Sequence, residues 1–332
     1  MTVLIIGGCG FVGMNVAEAY LKAGQNVVLF DRNALRPMAE QQFRTLSGRF
    51  EVVAGDVGSV ENLERTMRGH AIDRVFYGAA LTAGPTRERE DPGGIFAVNL
   101  AGLANAIRAA QAAGIRRLIN IGSGSAYGAV RSFGDTSKPL VEDQVPSEPE
   151  TLYALSKYAG ERAARRLRAL TGLDIVNVRL AGVYGPWEID SGVRDTLSPF
   201  MQAARIAQEG GRAILPWRDL QDWTYSRHIA QGLAALMEAE VLAHDLYHVV
   251  APKPVSVADW CQRLTRLFPG FSCAIAEEGE TANISLHSGR NRVPLSGARL
   301  HAEVGYAPPE NAEVAFADFI GWIEHCGSFW KG

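Results

Sequence analysis

The chain has 332 residues, 47% apolar and 21% charged, with 15 Pro, 35 Gly and 4 Cys, a globular composition that excludes disordered, collagenous and disulfide-built classes. Thirty-three Lys and Arg against 36 Asp and Glu leave a net charge of −3, so no overall basic field draws a phosphate backbone and no nucleic-acid partner is expected. The length fits either two structural units or one large α/β unit with a smaller appendage.

Met1 to Ile6 runs directly into a glycine turn, without the basic and apolar stretches of a signal peptide, and no run of about 18 uncharged apolar residues occurs. A cytoplasmic protein with no membrane partner is expected. Cys9, Cys261, Cys273 and Cys326 show no C-x-x-C spacing, so they read as free buried or loop thiols and no metal site is expected.

Short β-branched runs at Val3–Ile6, Val27–Phe30, Glu51–Ala54, Arg74–Tyr77, Leu118–Ile121 and Ile175–Arg179 alternate with helix-forming stretches. That alternation predicts parallel strands with right-handed crossovers, hence an α/β fold with a Rossmann-type doubly wound parallel sheet. After Gly185-Pro186 the rhythm breaks, and only scattered strands such as Ala213–Leu215 and Leu246–Val250 follow. The expected division is a dinucleotide-binding domain over 1–184 and a smaller C-terminal α/β substrate-binding region over 185–332, with some return of the chain to the sheet.

The first strand leads into Gly7-Gly8-Cys9-Gly10-Phe11-Val12-Gly13 and then a helix. In that order Gly7 permits the tight turn, Gly10 lets the backbone approach a pyrophosphate, and Gly13 allows close helix–strand packing, while the helix start at Phe11 and Val12 offers free N–H groups to phosphate. Asp31 ends the second strand, placed to accept hydrogen bonds from a ribose diol, and its charge favours NAD over NADP. Arg32 beside it is either a partner for a 2′-phosphate or a solvated charge. Asp56 and Val57, after the third strand, are placed for the adenine edge.

Tyr153 and Lys157 stand four apart in a helix-forming run, on one face, where an ammonium favours the phenolate and makes Tyr153 a usable base. Ser123 and Ser125 follow the fifth strand at the carboxyl edge of the sheet, where doubly wound folds bind ligands, and Ser123 is placed to hold a substrate oxygen. Through these residues the sequence resembles the extended short-chain dehydrogenase/reductases of the NAD-dependent epimerase/dehydratase family. The likeness runs from the glycine turn through Tyr-x-x-x-Lys to Arg179–Pro186 and Asp222-Trp223-Thr224-Tyr225.

The resemblance implies a catalytic triad of Ser123, Tyr153 and Lys157, with Lys157 also on the nicotinamide ribose and Ala79 and Ala80 along the cofactor. It makes Asn99 either a cofactor-side or water-relay group or a helix-bending residue, and it implies a homodimer through the helix at Ile95–Ala113 and the Tyr153 helix. Departures narrow the activity. The family's dehydratases carry Asp-Glu directly after the triad's Ser or Thr, whereas Gly124 and Ser125 stand here. Many of its nucleotide-sugar epimerases have Arg at the position of Gln221, where it pairs with a diphosphate, and Asn at that of Gly182.

The expected function is therefore NAD-dependent oxidation or reduction of a secondary alcohol on a small polar substrate, a sugar or sugar acid, whose carboxylate Arg87 or Arg218 would hold. The alternative is a nucleotide-sugar epimerase using bound NAD, with Arg290 or Arg292 supplying the missing diphosphate partner. A non-catalytic dinucleotide sensor has no use for Ser123, Tyr153 and Lys157 together. The stretch Arg131–Lys138 reads as a lid or a plain surface loop.

Overall fold

The computed structural model describes residues 2–190 and 196–326. Residue 1 and two parts of the region expected over 185–332, namely 191–195 and 327–332, lie outside the described residues.

Strands β1 (Thr2–Ile6), β2 (Asn26–Asp31), β3 (Phe50–Ala54), β4 (Arg74–Tyr77), β5 (Arg117–Ser123) and β6 (Asp174–Leu180) are followed by the two-residue β7 (Val183–Tyr184), then β8 (Arg212–Leu215), β9 (Thr224–Tyr225), β10 (Leu246–Val249) and β11 (Ser272–Ile275). Seven of them form one sheet in the order β10-β6-β5-β4-β1-β2-β3, every adjacent pair parallel. Parallel strands need crossovers that cover both faces, and the strand interiors are apolar for that reason. Within β1, Val3 and Ile5 join one buried cluster while Leu4 and Ile6 join the other. This is the Rossmann-type sheet that the alternating pattern predicts.

The chain order reverses between β1 and β4, so the loops leaving their carboxyl ends diverge and open a crevice there. The later part of the chain returns one strand, β10, to the sheet beside β6. It also forms two small parallel pairs, β8 with β11 and β7 with β9. An aromatic cluster holds it to the sheet, with Tyr184 stacked on Phe200 at 3.9 Å between centroids and Trp260 against Phe200 and Phe316.

Arg117, only 2% exposed, ties β5 to the helix Ser226–Glu238 by donating to the backbone oxygens of Leu236 at 2.6 Å and Ala239 at 2.7 Å. A cation there satisfies carbonyls at the helix C-terminus that have no intrahelical partner. The segment Pro92–Ala112 is long and apolar enough to cross a membrane by length and composition. Ile95, Leu103, Ala106, Ile107, Ala109 and Ala110 of that segment are nonetheless buried, against β4, β5 and the helices Val60–Gly69 and Leu152–Thr171.

Candidate active site

A cleft of about 830 Å³ lies along the carboxyl ends of β1, β2, β4 and β5 and runs on beneath the later loops. At one end is the glycine turn. Gly7 has φ +80°, and a Cβ on it would fall 2.6 Å from the Ala79 nitrogen; one on Gly13 would fall 2.3 Å from the Gly7 oxygen. No side chain fits at either position, so the backbone closes around a cradle that a pyrophosphate can approach. The helix Phe11–Lys22 starts there with no side-chain cap, and the positive end of its dipole favours an anionic group.

Asp31 is set by two backbone donors, Cys9 N to Oδ2 at 3.1 Å and Asn33 N to Oδ1 at 2.9 Å. Burial raises its pKa, while those hydrogen bonds and Arg32 oppose the rise. Cys9 is pushed up to about 12 by burial and by Asp31 and stays a thiol. Asp56 accepts from Gly58 N at 2.6 Å, which sets its turn. Gly7, Gly10, Phe11, Val12, Gly13, Asp31, Arg32, Asp56, Val57, Ala79 and Ala80 all line this part of the cleft. The glycine cradle and the carboxylate at the strand end fit a dinucleotide.

At the sheet's carboxyl edge the cleft is lined by Ser123, Ser125, Tyr153 and Lys157. Thr151 caps the helix Leu152–Thr171, its Oγ1 accepting from Ala154 N at 3.1 Å. The helix start, and with it Tyr153, is thereby fixed against β5. Lys157 is 6% exposed and donates to the Ile121 oxygen at 2.9 Å; burial brings its pKa down to about 8, so it is still a cation at neutral pH. Ser123 Oγ accepts from Ser125 N at 3.1 Å and Ser125 Oγ at 2.9 Å, leaving its own proton to point at a ligand.

A buried support that the sequence reading did not identify stands behind this turn. Tyr127, fully buried, donates to His248 Nε2 at 2.9 Å, and His248 Nδ1 meets the Ser296 oxygen at 3.0 Å. Burial and Arg179 drive His248 down to about 3, which makes it a neutral imidazole that accepts from Tyr127 and donates to Ser296. Arg179 lies over the Tyr127 ring at 4.3 Å and is held by Glu161 at 2.8 Å.

Three expected site residues are placed elsewhere. Asn99 is 2% exposed. Its Oδ1 accepts from Leu81 N at 2.8 Å, and its Nδ2 donates to the Leu81 oxygen at 3.1 Å and to Ser156 Oγ at 2.9 Å. Its amide is committed to the protein and it does not line the cleft; it positions the loop after β4, from a π-helical turn at Ala97–Gly102. Arg218 pairs with Asp259 on the surface, and Arg87 sits on the short helix Pro85–Glu90; neither lines the cleft.

The cations that do line it beyond Ser123 are Arg131 and Arg292, together with His287 and the indole of Trp223. Arg131 begins the stretch read as a lid or loop, yet it is 3% exposed and turned inward. Gln221 is buried, and its Oε1 accepts from Arg292 Nε at 3.1 Å, so Gln221 orients an arginine from the late loop. A Cβ on Gly182 would lie 2.3 Å from the Trp223 ring; the indole occupies the space a side chain would take there.

Comparison with known proteins agrees with this geometry. UDP-glucuronate 4-epimerase 6 of Arabidopsis thaliana is 30% identical over 346 residues, covering 97% of this chain and 71% of that protein. UDP-glucuronate 4-epimerase 4 of the same plant is 26% identical over 349 residues, covering 97% and 75%. Among solved structures, UDP-glucuronic acid 4-epimerase from Bacillus cereus, in complex with UDP-glucuronic acid and NAD, superposes with a TM-score of 0.77 at 19% identity over 98% of this chain and 99% of that one. The NAD dependent epimerase/dehydratase family matches residues 3–249, from within β1 to the last residue of β10. Because that span takes in the glycine cradle, Asp31, Ser123, Tyr153, Lys157 and all seven strands that position them, the chain belongs to the NAD dependent epimerase/dehydratase family.

Proposed function

We propose that the protein is an NAD-dependent epimerase that inverts a secondary carbinol of a nucleotide sugar. The observation that carries this reading is the cleft itself, which joins a dinucleotide cradle to Ser123, Tyr153 and Lys157 and then continues past them to a second wall bearing Arg292, Trp223 and His287. The family match and the nucleotide-sugar epimerases among the relatives support it over net redox on a small free sugar. Gln221 and Gly182 weigh less against a diphosphate than the sequence suggests, because Gln221 turns Arg292 into the cleft wall.

When bound, NAD supplies a hydride acceptor that becomes the donor for the return step. Ser123 Oγ holds the reacting oxygen through its free proton. Tyr153 takes the hydroxyl proton as the carbinol becomes a ketone, and gives it back after the sugar has presented its other face. Lys157, fixed by the Ile121 oxygen, keeps a positive charge beside Tyr153 and favours the phenolate. Gly124 and Ser125 offer no acid–base pair for removing water, which separates this chain from dehydration.

The test follows product formation from UDP-sugars by the NAD-loaded protein, using proton NMR and the absorbance of reduced cofactor in parallel. Appearance of an epimer without accumulation of reduced cofactor is the expected result. Stoichiometric reduced cofactor with an oxidised product would replace this reading with net redox.

A further inference from the structure

Arg131 lies on the short helix Ala129–Phe133 and is more than nine-tenths buried. Its Nη2 donates to Asp222 Oδ1 at 2.5 Å and its Nε to the Val293 oxygen at 3.2 Å. Asp222 is completed by Leu295 N, which donates to Oδ2 at 2.9 Å. Nη1 has no protein acceptor among the described residues. It sits where a side chain on Gly124 would begin, 3.2 Å from the position of a Cβ there, between the two cleft-lining serines Ser123 and Ser125. Gly124 is thus the opening through which a buried guanidinium reaches the cleft.

The charge balance of this wall is incomplete. Arg131 and Arg292 both face the cleft and Asp222 is the carboxylate between them. Burial and the nearness of Arg131 bring Arg292 down to about 10, the mark of two cations sharing one counter-ion. The acids that line the cleft, Asp31 and Asp56, are at the dinucleotide end. Burying a cation with donors unmet is costly, and a ligand that supplies one negative charge there recovers that cost.

We propose that Arg131 is a specificity-determining residue whose guanidinium seats a carboxylate of the sugar, so that the substrate is a nucleotide-linked hexuronate. This rests on the epimerase reading of the site. Position favours a sugar carboxylate over the diphosphate: Arg131 Nη1 adjoins Gly124, the immediate neighbour of Ser123, and consecutive Cα atoms are about 3.8 Å apart. In a hexuronate the carboxyl carbon is two bonds from the C4 carbinol, which is the reach between a hydroxyl held at Ser123 and a carboxylate beside residue 124. An acid at 124, as the dehydratases carry, would meet Arg131 instead of substrate.

The experiment compares UDP-glucuronate with UDP-glucose, which has a hydroxymethyl group in place of the carboxylate, on the NAD-loaded full chain. Wild-type protein is expected to favour UDP-glucuronate by at least about tenfold in kcat/KM, as for a charge-assisted hydrogen bond in a buried site. Arg131→Gln/Asp222→Asn removes the ion pair as a unit, so no buried carboxylate is stranded, and should lower that preference by at least about tenfold, chiefly through KM for the uronate. Gly124→Ala keeps both charges and narrows the opening, and is expected to act in the same direction should the double variant fail to melt cooperatively. A preference unchanged in a folded variant, or turnover of UDP-glucose as well as the uronate, overturns the seat and leaves the epimerase reading standing. Oxidation of free glucuronate, weakened in the variants and with neither UDP-sugar binding, overturns the epimerase reading and keeps the seat; binding of none of the three overturns both.

Discussion

Tyr153 and Lys157 are placed by one capped helix, but only the fold shows how differently they are treated. Lys157 loses almost all contact with water and keeps one protein acceptor. Its folded pKa of about 8 lies below the ordinary 10.5, so between these values the unfolded chain binds more protons and stability must rise with pH. Relative to Lys157→Met, which has no such group, the wild type should gain on the order of 2 kcal/mol from pH 7 to pH 10. Urea denaturation of the pair at several pH values measures it; a difference that stays flat would mean the ammonium is not desolvated. Tyr153→Phe should keep NAD binding and lose turnover by roughly 10²–10⁴, the range for a positioned acid–base group. Retained turnover would remove Tyr153 from the chemistry. At the other end of the cleft Asp31 opposes a 2′-phosphate, so titration calorimetry should find NAD at least about tenfold tighter than NADP, a difference of about 1.4 kcal/mol; tighter NADP would mean that Arg32 outweighs Asp31.

At the level of elements, strands β1 to β6 were legible because each carries a short run of β-branched, aromatic or aliphatic residues between helical stretches. The two-residue β7 and β9 were not, since so short a strand has no period to detect. They matter all the same: β7 follows Gly182, β9 follows Trp223, and Thr224 N donates to the Gly182 oxygen at 2.7 Å. The pairing presses the indole onto the glycine. An Asn here, which the family resemblance implies for nucleotide-sugar epimerases, should therefore overpack the contact, and Gly182→Asn is expected to cost about 1–3 kcal/mol in thermal or urea unfolding. An unaltered melt would show that the indole swings aside. The helix at Ala97–Gly102 shows the same limit. Its Asn could be read from the sequence as significant, but not that its amide is spent on Leu81 and Ser156.

For the whole molecule, the helices over Pro92–Ala112 and Leu152–Thr171 keep an apolar outer face. Phe96, Leu100 and Ala104 remain partly accessible there, and Leu155 and Leu170 are 39% and 61% exposed. An apolar face of this kind favours association. We expect a dimer of about twice the chain's 35.9 kDa by light scattering at micromolar concentration, and a shift toward monomer on Leu100→Glu/Leu155→Glu. A monomeric wild type would contradict it.

Local information sufficed to place strands β1 to β6, and to bring the glycine turn, Asp31 and the Tyr153–Lys157 pair to the cleft that they line. Each is a short-range pattern, in which periodicity, a turn that only glycine can make, or a spacing of four on a helix ties residues that are near in the chain. The substrate wall was decided by tertiary structure. Arg131, Asp222 and Arg292 are joined across the long separations 131 to 222 and 221 to 292, and nothing in the local sequence distinguishes an inward-facing Arg131 from a solvated one. Arg87 and Arg218 looked equally suitable from composition. The fold leaves both off the cleft and turns Arg131 and Arg292 into it, because a cation becomes a recognition element only when the packing around it removes water and leaves one of its donors facing the cleft.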